Sequence, residues 1–368
     1  MTDVLSASKI YCEPSGQCSV SSSVSNDNIR SPLRAPSSLL VKLMMSSDDV
    51  QPTAVKPMVN HILQQLQAHR SRFSPNSRIR PLFVGVQGPQ GSGKTFLTSR
   101  LRSHLTSAPH TLSVAVLSID DLYLPHAGLK TLAEQNPHNR LLHGRGQPGT
   151  HDVSLGRHIL EQLRLINDTS NQSTPLELPS FDKSLFDGEG DRIPFGMVVK
   201  APVDVVVLEG WCVGFHPVSE AVIEQRWMEP VKGLEEIFDL KTFVRKEDIL
   251  AVNEHLQGYM DWWRLLDAFI QIRGPTESPY SVIYKWRLQQ EHHMKMKNGG
   301  KGMKDEQVKT FVDRYIPGYV FFGDGVRDGS LAIGPNGEIQ TVEQPPWLHR
   351  GLGITIGEDR ELLDVGGF

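Results

Sequence analysis

The octapeptide Gly88-Pro89-Gln90-Gly91-Ser92-Gly93-Lys94-Thr95 constrains this chain more than any other feature, because it completes the pattern G-x-x-x-x-G-K-[ST]. Leu82 to Val86, just before it, is a continuous apolar run of strand length, and Leu97, Leu101 and Leu105, just after it, fall on one face of a helix. A glycine-rich turn between strand and helix directs consecutive backbone N–H groups and the helix N-terminus onto one anion-sized space. Glycines permit the tight curl and the close approach of an anion to the backbone. In such a loop Lys94 reaches the outer oxygens of a triphosphate, and the Thr95 hydroxyl is left to ligate magnesium. All eight residues are therefore expected to bind a nucleotide.

The rest of the chain agrees with an α/β domain. Strand-like runs at Leu112 to Leu117, Val203 to Leu208, Phe269 to Ile272, Tyr319 to Phe322 and Ile354 to Ile356 alternate with helical patterns after Lys94, from Asn253 to Asp267 and from Tyr280 to about Lys297. Several runs are apolar throughout, which predicts a largely parallel sheet with helices on both faces. The folded domain is expected over 53–368, starting where Val55, Met58, Val59, Ile62, Leu63 and Leu66 take up helical spacing. Residues 1–52 are serine-rich and lack apolar periodicity, as in a disordered tail. Two polar stretches, Pro125 to His151 and Asn167 to Pro194, are too long for plain connections and are expected to be functional loops.

Composition excludes several classes. A net charge of −4 argues against a general nucleic-acid coat. Cys12, Cys18 and Cys212 provide neither a disulfide framework nor a zinc spacing, as in a reducing compartment. No apolar stretch approaches the ~18 residues of a membrane span, and the N-terminus lacks a basic segment followed by an apolar one. A cytoplasmic location is expected, with no membrane partner. Asp3, Glu13, Asp27, Asp48 and Asp49 spoil the acid-poor signature of an organelle transit peptide.

A phosphate loop alone leaves GTPases, motors, transport ATPases and kinases open. The chain has neither an Asn-Lys-x-Asp guanine-reading segment nor a Leu-Ser-Gly-Gly signature. The run Val205 to Leu208 leads into Glu209, a carboxylate that would hold magnesium or its waters opposite Thr95. The second strand ends in Ser118-Ile119-Asp120-Asp121-Leu122-Tyr123. Ligands of doubly wound sheets sit at the carboxyl ends of strands, so both acids are expected near the phosphates. Phosphoryl transfer to a hydroxyl needs a carboxylate to orient it and take its proton, and Asp120 is the preferred base, with a second place among the magnesium ligands.

Ser-x-Asp-x-Leu-Tyr at 118–123, with Leu208-Glu209-Gly210, resembles the uridine kinase, phosphoribulokinase and pantothenate kinase superfamily, in which the matching acid is the base. More specifically, Arg145-Gly146-Gln147-Pro148-Gly149-Thr150-His151-Asp152, Leu178-Pro179-Ser180-Phe181-Asp182-Lys183-Ser184, Gly190-Asp191-Arg192 and Tyr284-x-Trp286-Arg287 resemble D-glycerate 3-kinase and its fungal relatives. The resemblance spans about residues 54 to 325 and implies an ATP- and magnesium-dependent transfer to a small hydroxy acid, by a monomer or homodimer. It implies acceptor-binding roles for Asp121, Tyr123, Arg145, Asp182, Lys183 and Arg192, and a charge-neutralising role for Arg287 in a basic, glycine-hinged lid within about 278–318. Guanidinium and ammonium groups in the polar loops suit a carboxylate-bearing acceptor. A nucleoside, pantothenate or sugar acceptor stays open at this point, as does a non-catalytic ATP-binding regulator. Trp262, Trp263 and Trp286 are expected in the core, and Cys212 as a small buried residue.

Overall fold

A computed structural model describes residues 53–74, 77–168 and 174–368. The segment expected to be a disordered tail lies outside them. In chain order the strands are β1 (Leu82–Gln87), β2 (Val114–Ser118), β3 (Leu176–Glu177), β4 (Ser180–Asp182), β5 (Asp191–Ile193), β6 (Val198–Val199), β7 (Val205–Gly210), β8 (Ala268–Arg273), β9 (Ser330–Ile333), β10 (Ile339–Glu343), β11 (Gly351–Ile356) and β12 (Leu362–Gly367). Six form one sheet in the order β12-β11-β8-β1-β7-β2, with every pairing parallel except that of β11 and β12. The expected α/β class is the one observed.

Continuous apolar strands require cover on both faces, and β1 and β7 are buried along their whole length. Helix Val55–Arg70 packs on β1 and β8, and helix Lys94–Thr106 packs on β1, β2 and β7. Elsewhere in the core Trp347 stacks on Phe269 at 4.4 Å. Gly85 makes room for that ring, since a Cβ there would lie 2.5 Å from it. The three tryptophans expected in the core, Trp262, Trp263 and Trp286, are fully buried, and so is Cys212. At the amino end of β1, Arg80 grips Asp267 with two hydrogen bonds of 2.7 Å, while the Phe83 amide donates to the same carboxylate.

Local pattern misled in two places. Tyr319 to Phe322, expected as a strand, belongs to helix Ile316–Phe322. Pro317 sits in its first turn, where its fixed φ favours a helix, and this outweighs the strand preference of aromatics. The helix expected from Asn253 to Asp267 divides into Lys246–Leu256, a 3-10 turn at Gln257–Tyr259, and Met260–Trp263. The first polar loop contains helix His126–Gln135, and the second folds into the ribbons β3/β6 and β4/β5. After β11 the chain turns back as β12, which pairs antiparallel and forms that edge of the sheet.

Register places the chemistry. Glu209 lies opposite Val86 of β1 on one side and Ser118 of β2 on the other. The three carboxyl ends that lead into the phosphate loop, Asp120 and Gly210 therefore meet at one rim of the sheet. Among the described residues, no helix is long and apolar enough to cross a membrane.

Candidate active site

Gly91 and Gly93 take left-handed backbone, with φ of +74° and +84°, where a side chain would be strained. Gly93 forms the N-cap of helix Lys94–Thr106, so the helix begins inside the loop. Lys94 donates to Glu209 Oε2, and Thr95 Oγ1 stands 3.5 Å from Glu209 Oε1. Glu209 is nearly buried, so its charge acts in a medium that screens it weakly. The Ser92 hydroxyl is buried and meets no protein partner, an orphaned polar atom within the cradle. Such a loop fits a triphosphate. Thr95 and Glu209 bring a hydroxyl and a carboxylate together, oxygen donors that could hold a magnesium ion, which commonly uses one or two carboxylates together with substrate phosphates.

Asp120 follows β2 in a 3-10 turn whose Ser118 hydroxyl accepts from the Asp120 amide. Tyr123 donates to Asp120 Oδ1 at 3.2 Å, and Lys183 donates to Oδ2 at 2.5 Å. Burial alone would raise the Asp120 carboxyl, but the Lys183 and Lys94 cations outweigh it and hold the group at about 2. Burial likewise works against the Lys183 charge, and the Asp120 carboxylate overcomes it and raises that ammonium. The pair is thus fully ionised at neutral pH. His151 stacks on Tyr123 at 4.4 Å, and burial drives its imidazole down to about 3, so it is neutral beside the acid.

The remaining expected residues divide by what they hold. Asp121 accepts from the Phe181 amide at 3.0 Å and so ties down the β4/β5 ribbon from which Lys183 projects. Asp182 accepts from both the amide and hydroxyl of Ser184, shaping the turn after β4. Arg192 donates to the Tyr123 carbonyl at 2.8 Å and to Asp152 at 3.2 Å. Arg145 donates to the carbonyls of Gly188 and Glu189 at the tip of the same loop. Arg287, on helix Ser281–Lys297, pairs with the buried Glu291 at 2.9 Å and lies over the Phe311 ring. Lys94, Thr95, Glu209, Asp120, Tyr123 and Lys183 therefore form one polar centre. Asp121, Asp182, Arg145, Arg192 and Arg287 are engaged in the elements around it.

Three residues distant in sequence also contact the loop. Tyr319 accepts from the Gln90 amide at 3.1 Å, from a helix whose aromatic run reads locally as a strand. Arg360, in the turn between β11 and β12, donates to the Gly91 carbonyl at 2.8 Å. Trp286 lies against Gly91 itself, where a Cβ would come within 2.7 Å of it. No motif links positions so far apart in the chain, and only the topology brings them together.

No family model matches the chain. It is 39% identical over 281 residues to the Saccharomyces cerevisiae protein named Probable ATP-dependent kinase TDA10, covering 75% of this chain and 90% of that protein. It is 33% identical over 299 residues to the chloroplastic D-glycerate 3-kinase of Arabidopsis thaliana, covering 80% of this chain and 57% of that protein. Among solved structures, the D-glycerate 3-kinase of Cryptococcus neoformans matches with a TM-score of 0.76 at 37% identity, covering 86% of this chain and 100% of that one. The fold and site, with these relatives, define an ATP-dependent P-loop kinase. The chain belongs to the D-glycerate 3-kinase family.

Proposed function

We propose that this kinase phosphorylates the 3-hydroxyl of D-glycerate, with ATP and magnesium, in the cytoplasm. The observation that carries this reading is the Lys183–Asp120 pair, which puts a carboxylate for a hydroxyl and a cation for a carboxylate within 2.5 Å of each other. A small hydroxy acid carries both groups that such a pair complements. The D-glycerate kinases among its relatives support the same acceptor.

In this account Asp120, ionised throughout the physiological range, accepts the hydrogen of the acceptor hydroxyl. It takes the proton as a bond forms from that oxygen to the γ-phosphorus and the bond to the β,γ-bridging oxygen breaks, with ADP leaving. Lys183 then exchanges part of its contact with Asp120 for the acceptor carboxylate. Lys94 follows the phosphoryl oxygens as charge develops on them, and Thr95 and Glu209 would hold a magnesium ion arriving with the nucleotide, which would supply neutralisation of phosphate charge. Arg287 adds a second cation from helix Ser281–Lys297, whose backbone abuts Gly91. That helix runs into Gly299 and Gly300, both left-handed, which suits a hinge for closure over the nucleotide.

The test is a panel of acceptors with ATP and magnesium, read as ADP release: D-glycerate against nucleosides, pantothenate and sugars. D-glycerate is expected to give the highest kcat/KM. Faster release with a nucleoside or pantothenate would overturn the acceptor assignment.

A further inference from the structure

Arg360 occupies the turn between β11 and β12, more than 250 residues after the phosphate loop in sequence, and makes three bonds at once. Its Nε donates to the Gly91 carbonyl at 2.8 Å, Nη2 to the Trp286 carbonyl at 3.0 Å, and Nη1 to Gln289 Oε1 at 2.7 Å. One planar fork therefore joins the phosphate loop to helix Ser281–Lys297, the helix that carries Arg287. The turn is fastened to the same helix independently, since Trp286 Nε1 donates to the Glu358 carbonyl at 2.9 Å and Lys285 pairs with the Glu358 carboxylate. Arg360 itself sits at φ +65°, a backbone conformation that an arginine holds only where its surroundings require it.

Gly91 is the point of closest approach between the loop and this helix. Its left-handed peptide has no side chain to lock it, and the space where a Cβ would stand is filled by the backbone of Trp286 and Arg287, at 2.6 and 2.7 Å. The loop and helix thus meet backbone to backbone at one glycine. With the Gly91 carbonyl held by Arg360 and the Ser92 amide held by the Pro89 carbonyl at 3.2 Å, both polar groups of that peptide are fixed. The curl of the cradle is set before any phosphate enters it, which lowers the ordering cost of binding.

We propose that Arg360 is a positioning residue for the nucleotide. It holds the Gly91 peptide in the phosphate-binding curl and sets the spacing between that curl and Arg287, so the C-terminal hairpin is part of the triphosphate site. The proposal rests on the ATP-dependent reading of the loop, and it implies an effect on donor binding that is separate from acceptor binding.

The experiment compares wild type with Arg360→Ala, Arg360→Lys and Gln289→Ala, measuring MgADP affinity by titration calorimetry, KM for ATP and for the acceptor, and the melting temperature. Arg360→Ala is expected to weaken MgADP and raise KM for ATP by about tenfold or more, as for loss of charge-assisted hydrogen bonds, with the acceptor KM within twofold of wild type. Arg360→Lys keeps the charge without the fork and is expected to recover less than half of the lost affinity on a logarithmic scale. Gln289→Ala removes one arm, on helix Ser281–Lys297 rather than in the phosphate loop, and is expected to weaken MgADP by about threefold, which keeps the test available should Arg360→Ala not fold. Unchanged MgADP affinity in a folded Arg360→Ala protein, or in Gln289→Ala where the former does not fold, would overturn the proposal, even with a lowered melting temperature. Wild type that fails to bind MgADP would instead overturn the nucleotide reading itself.

Discussion

Lys94 and Glu209 are bonded to each other directly, the ammonium of the phosphate loop to the carboxylate that ends β7. Parallel register dictates the pairing, because Glu209 lies opposite Val86, two residues before the loop begins at Gly88. The bond holds Lys94 in place, and the other oxygen of the same carboxylate stands 3.5 Å from the Thr95 hydroxyl.

Replacing Glu209 with Gln keeps the shape and removes the charge. The magnesium concentration for half-maximal rate is expected to rise about 10- to 100-fold, the scale on which altered metal surroundings act. Titrating magnesium at saturating ATP measures it. An unchanged requirement would remove Glu209 from the metal site.

Lys183 sets the protonation of Asp120. The carboxyl is held at about 2 because two cations outweigh its burial, so wild type should show no acid limb from this group above about pH 4. In Lys183→Met, the stronger of the two cations is gone and the carboxyl moves up. Protonated Asp120 cannot accept a proton, so the variant's kcat/KM should fall towards acid at a higher pH than that of wild type, and its acceptor KM should rise. A pH profile parallel to wild type would separate Lys183 from Asp120.

The Arg80–Asp267 pair clasps the amino end of β1. Burial would raise the Asp267 carboxyl, but Arg80 and the Phe83 amide lower it overall. A carboxyl lowered by folding stabilises the protein above its unfolded value near ~4 and loses that contribution as pH falls through the folded value below it. Arg80→Met is expected to cost about 3 kcal/mol at pH 7, by leaving a largely buried charge unpaired. Its unfolding free energy should also depend less on pH between 5 and 3 than that of wild type. Denaturant melts at pH 7 and across this range give both quantities, and parallel pH dependences would contradict the assignment.

What was legible in the sequence follows physical range. Gly88 to Thr95 is a local motif whose neighbours have the right periodicity, and β1 and the helix after it form where those patterns place them. Asp120 and Glu209 were reachable because strand ends converge in a parallel sheet. Less legible were groups whose meaning depends on distant contacts. Tyr319 reads as part of a strand until it is seen bonded to Gln90, and Arg360 is an ordinary turn residue until β12 brings it against Gly91. Arg145, Asp182 and Arg192 read in the sequence as charges in polar loops. In the structure they grip loop carbonyls, a turn and Asp152, which spacing alone does not reveal.

The most direct measurement is phosphorus NMR of the product formed from ATP and D-glycerate by wild type and by Asp120→Asn. Wild type should yield glycerate phosphorylated at carbon 3 in equal amount to ADP, and the variant should form it at least ~10²-fold more slowly while still binding MgADP. ADP formed without phosphorylated glycerate, or an undiminished rate in Asp120→Asn, would contradict the account.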